Sequence, residues 1–375
     1  MQLKMLTDDK LCAQICEDYW RQNEDGKFTL TVQEIANKYE MKPHILSSFV
    51  KQHAYVWLTT ICCIRCEQPF RLGSRVQYQE RNRYKRQVCN SCITTERQTI
   101  ADEKKTILVK MRQSAASEVD LKNLDLMSSI YLLAAIQALG DEHLSRLEPL
   151  SDYPACTLSP DTAYDHKVLR YLIDNHLLLI GLNTSLDAID SEGQINFEMS
   201  TFDIALDQNQ ITKLINDFTD ASTVYNIKHN IDFIDLCSEI QLNECLAFLK
   251  AMLAEHQLTF VPGEKTKQVM SRCLEKLSPT QVYNFIWRAV TNAAAYYMRG
   301  SVSKRQAANS VVGSISRYME QSLANDWDVK TFKRNYNLPQ SSLSRIVFNT
   351  VLGTDDGGFK QPLHELIQQK ILLSI

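Results

Sequence analysis

Glycine and proline are both scarce, at 11 and 9 of 375 residues. Collagen-like, proline-rich and glycine-linker compositions are therefore excluded. So few turn-forming residues also argue against a sandwich or barrel with many tight turns, and for a mainly α, multi-helical chain. Long apolar runs are missing too. The stretches around Ile130–Leu139 and Leu177–Leu182 fall well short of the roughly 20 residues a helix needs to cross a bilayer. The opening Met1-Gln-Leu-Lys-Met-Leu-Thr-Asp-Asp carries no apolar signal core, so a cytoplasmic location and no membrane partner are expected. Also absent are a glycine-rich phosphate loop, a GxSxG elbow and an HExxH motif. The eight histidines are scattered, and the acidic neighbours of His143 and His166 suit capping or surface roles. No catalytic residue is nominated and the chain is read as not an enzyme. A nuclease assembled from distant acids such as Asp161, Asp165 and Glu198 is the least supported reading.

Charge is present but unevenly spread. Residues 1–100 hold 15 Lys+Arg against 11 Asp+Glu, residues 101–298 hold 16 against 27, and residues 299–347 hold 8 against 3. Two basic ends thus flank an acidic middle within a net charge of −3. That division suits nucleic-acid contact at the ends and a protein partner or self-association in the middle.

Cysteine is what the chain has in plenty, with 11 residues. In a reducing compartment they point to metal or chemistry rather than disulfides. Cys63-Ile-Arg-Cys66 and Cys89-Asn-Ser-Cys92 are two CxxC pairs separated by 22 residues. Each CxxC turn presents two thiolates on one side of a knuckle, and two knuckles complete a tetrahedral shell. The spacing predicts one structural Zn2+ held by Cys63, Cys66, Cys89 and Cys92, with no position open to substrate. Cys62 offers a second register, but Cys63 matches the other knuckle. An HNH-type nuclease would need a histidine nearby, and residues 54–142 contain none. Cys156, Cys237, Cys245 and Cys273 read as small core residues. The insert composition, with Phe70, Val76, Tyr78, Tyr84 and Val88, suggests extended strands, and the segment 61–95 resembles a four-cysteine zinc ribbon. Arg71, Arg75, Arg81, Arg83, Lys85 and Arg86, interleaved with Tyr78 and Tyr84, make it a candidate phosphate-and-base surface.

Two further segments have the pattern of paired helices around a tight turn. In Ile35-Ala-Asn-Lys-Tyr-Glu-Met-Lys-Pro-His-Ile-Leu-Ser-Ser-Phe-Val50, Ala36 sits where helices would cross and Glu40 holds the turn. Leu46 and Phe49 close the core. In Phe332-Lys-Arg-Asn-Tyr-Asn-Leu-Pro-Gln-Ser-Ser-Leu-Ser-Arg-Ile-Val347, Asn337 holds the turn and Pro339 opens the second helix. Both segments, 32–52 and 329–348, resemble the helix-turn-helix DNA-binding superfamily. The resemblance implies a second helix in the major groove of double-stranded DNA. Its candidate contacts are His44, Ser47, Ser48 and Lys51 in the first unit. In the second they are Gln340, Ser341, Ser344 and Arg345, with Lys333 and Arg334 nearer phosphates.

Between them, a helix near 162–175 followed by strands Leu177–Leu182 and Ile195–Met199 has a winged-helix-like layout. Its acidic wing (Asp187, Asp190, Glu192, Glu198) suits protein contact. The expected organisation is a helix-turn-helix at 1–60, a zinc ribbon at 61–98 and a helical linker with winged unit at 99–205. A helical domain with the second helix-turn-helix follows at 206–352, then a tail helix at 353–375. Together these features fit a zinc-containing DNA-binding protein: a bacterial-type regulator, or the DNA-recognition subunit of a mobile-element or phage-defence system. The alternative is a protein–protein adaptor using the same modules.

Overall fold

A computed structural model describes residues 1–115, 124–155, 157–300 and 302–372, so Cys156 lies outside the described residues. The chain is mainly helical with two small antiparallel sheets. It folds as two units, Met1–Glu103 and Lys104–Ile375. Among the described residues no helix is long and apolar enough to cross a membrane.

In the first unit, strand β1 (Gln2–Met5) precedes helix α1 (Lys10–Trp20). Asp9 caps α1 by accepting the Cys12 N–H at 2.8 Å. Helix α2 (Val32–Lys38) opens on a reciprocal capping box between Thr31 and Glu34. Helix α3 (Pro43–His53) has its proline at the first turn, where no backbone donor is needed. Between α2 and α3 the backbone turns left-handed at Glu40 (φ 52°), and the Met41 N–H reaches back to the Ala36 carbonyl at 2.8 Å. Strands β2 (Ala54–Cys62) and β3 (Pro69–Leu72) complete a sheet of order β1-β2-β3. Ile35, Ala36, Leu46 and Val50 pack with Tyr19, Trp20, Val56, Leu58 and Leu72 into one core. Two charges are built into it. Asp18, buried on α1, accepts Lys38 Nζ at 2.6 Å and the Tyr39 hydroxyl at 2.7 Å, which ties α1 to α2.

The second charge corrects an expectation. Arg75 opens the short helix α4 (Arg75–Gln79) and is only 6% exposed. Its Nε donates to the Tyr19 carbonyl at 2.6 Å, its Nη1 to the Leu30 carbonyl at 2.6 Å, and its Nη2 also to Tyr19. The guanidinium lies 4.1 Å from the Phe28 ring centroid. Arg75 therefore satisfies two backbone acceptors, including one at the C-terminal end of α1, and its side chain is turned inward rather than offered on the surface as the arginine run suggests. The insert also differs from a ribbon. After β3 it forms α4 and a 3-10 turn at Arg81–Tyr84, and then helix α5 (Asn90–Ala115) begins at the second cysteine pair.

The second unit continues with helix α6 (Leu126–Leu139), strand β4 (Arg146–Leu147), helix α7 (Thr162–Asp174) and strands β5 (Leu178–Ile180) and β6 (Phe202–Ile204). The sheet order is β4-β6-β5. The strand expected at 195–199 is thus not formed; the strand that pairs β5 is β6 at 202–204. Asn196 accepts the Glu198 N–H at 3.0 Å and caps a 3-10 turn over Phe197–Met199, leaving only a bridge between Ile189 and Ile195.

Helices α8 (Gln208–Asp217), α9 (Ala221–Lys228) and α10 (Ile231–Glu255) follow. The first half of α10 packs into the core of α6, α7 and the sheet, through Phe233, Leu236 and Ile240. Its second half, from Cys245 to Leu253, packs into a separate core with α11 (Glu264–Leu274), α12 (Pro279–Met298) and α13 (Lys304–Ala324).

The C-terminal helix-turn-helix is not formed. Residues 327–341 hold no helix; a helical turn starts only at α14 (Ser342–Ser344) and continues as a π-turn over Arg345–Val351. The segment instead docks on α12 and α10. The Phe332 N–H bonds Thr280 Oγ1 at 2.7 Å, Phe332 packs near Trp287 and Phe248, and Arg334 pairs with Glu244 at 3.0 Å. Of the expected tail helix, α15 (Leu363–Ile367) and a π-turn to Leu372 are formed; residues 373–375 lie outside the described residues.

Glu40 generates the first prediction. A non-glycine residue in the left-handed region costs about 1 kcal/mol. Glu40→Gly should raise the stability of the first unit by about that amount, read from its urea midpoint at unchanged slope. A lower midpoint would mean that the Glu40 side chain, not its backbone, holds the turn.

Candidate metal centre and basic surface

The first knuckle follows directly on β2, where the β2–β3 register shifts between Leu58 and Cys62. Cys63 is buried, its N–H reaches the Gln68 carbonyl at 2.9 Å, and the Glu67 N–H returns to the Cys63 carbonyl at 3.0 Å. Glu67 takes a left-handed φ of 57° to close this turn. The second pair is built differently. Cys89 precedes α5 and Cys92 lies in its first turn. The two pieces are laced by the Ile64 N–H on the Gln87 carbonyl at 3.1 Å and by Arg65 on Glu96 at 2.9 Å.

The four sulfurs lie within 4.8 Å of one another. Cys63 Sγ and Cys92 Sγ are 3.9 Å apart, and Cys66 Sγ and Cys89 Sγ are 3.7 Å apart. Thiolates at about 2.3 Å from a shared tetrahedral ion stand about 3.8 Å from each other. The residues therefore fit a single metal ion, and the spacing-based pairing of Cys63, rather than Cys62, with Cys66 is the one the geometry brings together. Among the described residues no other trio of Cys, His, Asp or Glu converges closely enough to share an ion.

The environment favours thiolate at Cys63. Burial pushes the Cys63 thiol up, but backbone N–H groups of Cys66, Cys89 and Arg65 outweigh it and hold the thiol down at about 6. Cys92 is pushed up to about 12, first by hydrogen bonds with the Cys66 and Cys89 sulfurs and then by burial. Sulfurs this close share protons, and a divalent cation would replace them. The N-terminus of α5 adds partial positive charge beside Cys89 and Cys92. These donors were not legible in the spacing.

The predicted basic residues divide. On the insert, Arg71, Arg83, Lys85 and Arg86 are exposed, while Arg81 is half-buried and lies over the Tyr78 ring. Arg83 is paired with Glu80 at 2.9 Å. On α3, His44, Ser48 and Lys51 are exposed and Ser47 is half-buried. At the C-terminal end the expected row is not assembled. Ser341 and Ser344 are buried; Ser341 Oγ caps the Ser344 N–H, and Gln340 Nε2 is bonded to Asn349 Oδ1 at 2.8 Å. Arg334 is taken up by Glu244, leaving Lys333 and Arg345 exposed. The three scattered acids have separate partners: Lys250 for Asp161, Ser159 for Asp165 and His166 for Glu198.

No family model matches this chain, and no curated protein or solved structure matches it either.

Metal analysis should find about one divalent ion per chain, as four convergent thiolates require. Cys66→Ser should release the ion and lower the melting temperature of the first unit, whereas Cys62→Ser should change neither. Equal loss from both variants would shift the ligand set to Cys62.

Proposed function

We propose that this chain is a zinc-containing protein that binds double-stranded DNA through its first unit. Zinc is the ion that four thiolates with no open position suit best. The observation that carries the reading is the α2–α3 pair. Its left-handed turn, buried Ala36 and buried Leu46 support a helix-turn-helix, and α3 offers His44, Ser48 and Lys51 to solvent. Arg71, Lys85 and Arg86 stand exposed in the same unit, where they would add phosphate contacts. A role as a regulator or as the DNA-recognition subunit of a larger assembly follows from such a module.

The second unit favours a protein partner. Its element order α6, β4, α7, β5, β6, with β4 pairing β6 and β6 pairing β5, supports the winged-helix reading. The long loop between β5 and β6 carries exposed Asp187, Asp190 and Glu192, which repel phosphate. Docking of a basic protein surface, or of a second copy, suits that loop better than DNA does.

The test is titration of a labelled duplex by fluorescence anisotropy over a salt series. With about five phosphates neutralised, log K should fall against log salt with a slope of about −4 to −5. Lys51→Ala should weaken binding several-fold and flatten the slope by about 1. Absence of binding at about 50 mM salt would remove the DNA reading and leave the adaptor reading.

A further inference from the structure

The sheet of the first unit has two faces, and the outward one breaks the usual alternation. An antiparallel sheet with one buried face normally shows polar side chains on the other. Inward go Leu3, Met5, Val56, Leu58, Phe70 and Leu72, all within the core of the unit. Outward, in register across the three strands, lie Gln2, Trp57 and Arg71, with Lys4 opposite Tyr55. Neither aromatic belongs to that core. Their rings stand 5.1 Å apart at 89°, and the Arg71 guanidinium lies 3.8 Å from the Tyr55 ring centroid. Trp57 is half-buried and Gln2, Lys4 and Arg71 are exposed, while Tyr55 is only 6% exposed, beneath the Arg71 guanidinium. No carboxylate occurs among these outward residues.

We infer that this sheet face is a stacking platform for unpaired nucleotides of a nucleic-acid strand. Trp57 presents an indole to a base. Arg71, already flat on Tyr55, offers the outer side of its guanidinium plane to a second base or its N–H groups to a phosphate. Lys4 supplies a further cation on the neighbouring strand. Charge complementarity commits the occupant: two exposed cations and no acid around the half-exposed Trp57 indole suit a polyanion carrying π-faces, and do not suit an acid-free apolar peptide. The platform is also continuous with α3. Gly73 lies two residues beyond Arg71, and a Cβ there would stand 2.9 Å from Lys51 Cγ, so the Lys51 stem lies against the end of this sheet. A strand leaving a duplex seated on α3 would therefore pass onto Trp57. The inference rests on the nucleic-acid reading of the first unit and shares Arg71 with it, but its distinguishing residue is Trp57.

The experiment compares three labelled probes on the full chain: a 12-nucleotide oligo-dT, a blunt 20-base-pair duplex, and that duplex with a 12-nucleotide dT overhang. Oligo-dT should bind and quench tryptophan fluorescence, and the overhang duplex should bind more tightly than the blunt one. Trp57→Leu should weaken oligo-dT binding about tenfold, the scale of one lost base stack, and leave blunt-duplex affinity unchanged. Trp57→Phe should retain most of the single-strand affinity, which separates stacking from a folding defect. Lys51→Ala should show the opposite pattern, with the larger loss on the blunt duplex. Wild-type oligo-dT affinity in Trp57→Leu, or no oligo-dT binding by the wild-type chain, overturns the platform. Loss of blunt-duplex binding alone overturns the α3 reading and leaves the platform standing.

Discussion

Four sulfurs within 4.8 Å of one another join the end of β2 to the start of α5. Beside them, that corner is held by a backbone bond from Ile64 to Gln87, an exposed ion pair from Arg65 to Glu96, and Tyr84 and Val88 packed against the core. Exposed pairs of that kind contribute at most about 1 kcal/mol. A structural zinc site contributes about 10–16 kcal/mol in small peptides, comparable with the whole stability of a domain. An ion at the four sulfurs would thus reinforce an insert that is also anchored by Arg75 on the Tyr19 and Leu30 carbonyls and by Tyr78 against Trp20 and Phe28. Everything between the two knuckles, including α4 and the turn that carries Arg81–Tyr84, is closed by that clamp.

The same unit shows why counting cations overstates a binding surface. Arg75 sits in a run of arginines that composition treats alike. Its Nε, Nη1 and Nη2 all donate to the carbonyls of Tyr19 and Leu30, so the fold keeps it inside. Arg334 is likewise held by Glu244, 90 residues away in sequence. Both are contacts between distant parts of the chain, and no local pattern announces them. Lys51, Arg71 and Lys85 stay exposed, Arg71 with its guanidinium 3.8 Å from the Tyr55 ring centroid, and there the sequence reading and the surface agree.

Legibility follows the range of the interaction. The capping box of Thr31 and Glu34, Pro43 at a helix start and the CxxC pairs are local signals, and α2, α3 and the sulfur cluster lie where those signals put them. The second CxxC pair was legible as ligands but not as a helix start, because a knuckle turn and a first helical turn use the same spacing. The segment 327–341 carried equally good local signals in Asn337 and Pro339. They lost to Phe332, whose ring and N–H dock on α12 and α10. The wing strand failed for a smaller reason, since the Asn196 cap bends the chain six residues before it pairs. The outward aromatics of β2 were present as the alternation Tyr55, Trp57, Thr59. Without the register to β1 and β3 that alternation does not reveal which face is core.

The division of charge then becomes a division of labour. Residues 1–100 carry a net +4 and their exposed cations sit on α3, on the sheet face and after the 3-10 turn, so three separate elements of one unit present the same sign. Residues 101–298 carry a net −11, with the wing among the exposed acids. At about 0.15 M salt these fields reach only about 8 Å beyond the surface. A polyanion beside the exposed cations of the first unit would feel mainly those cations, and one beside Asp187, Asp190 and Glu192 would be repelled. A protein partner of basic character would sense the reverse. The two signs of charge are thus carried by different elements of one chain, the cations on α3, the sheet face and the segment after the 3-10 turn, the acids on the loop between β5 and β6.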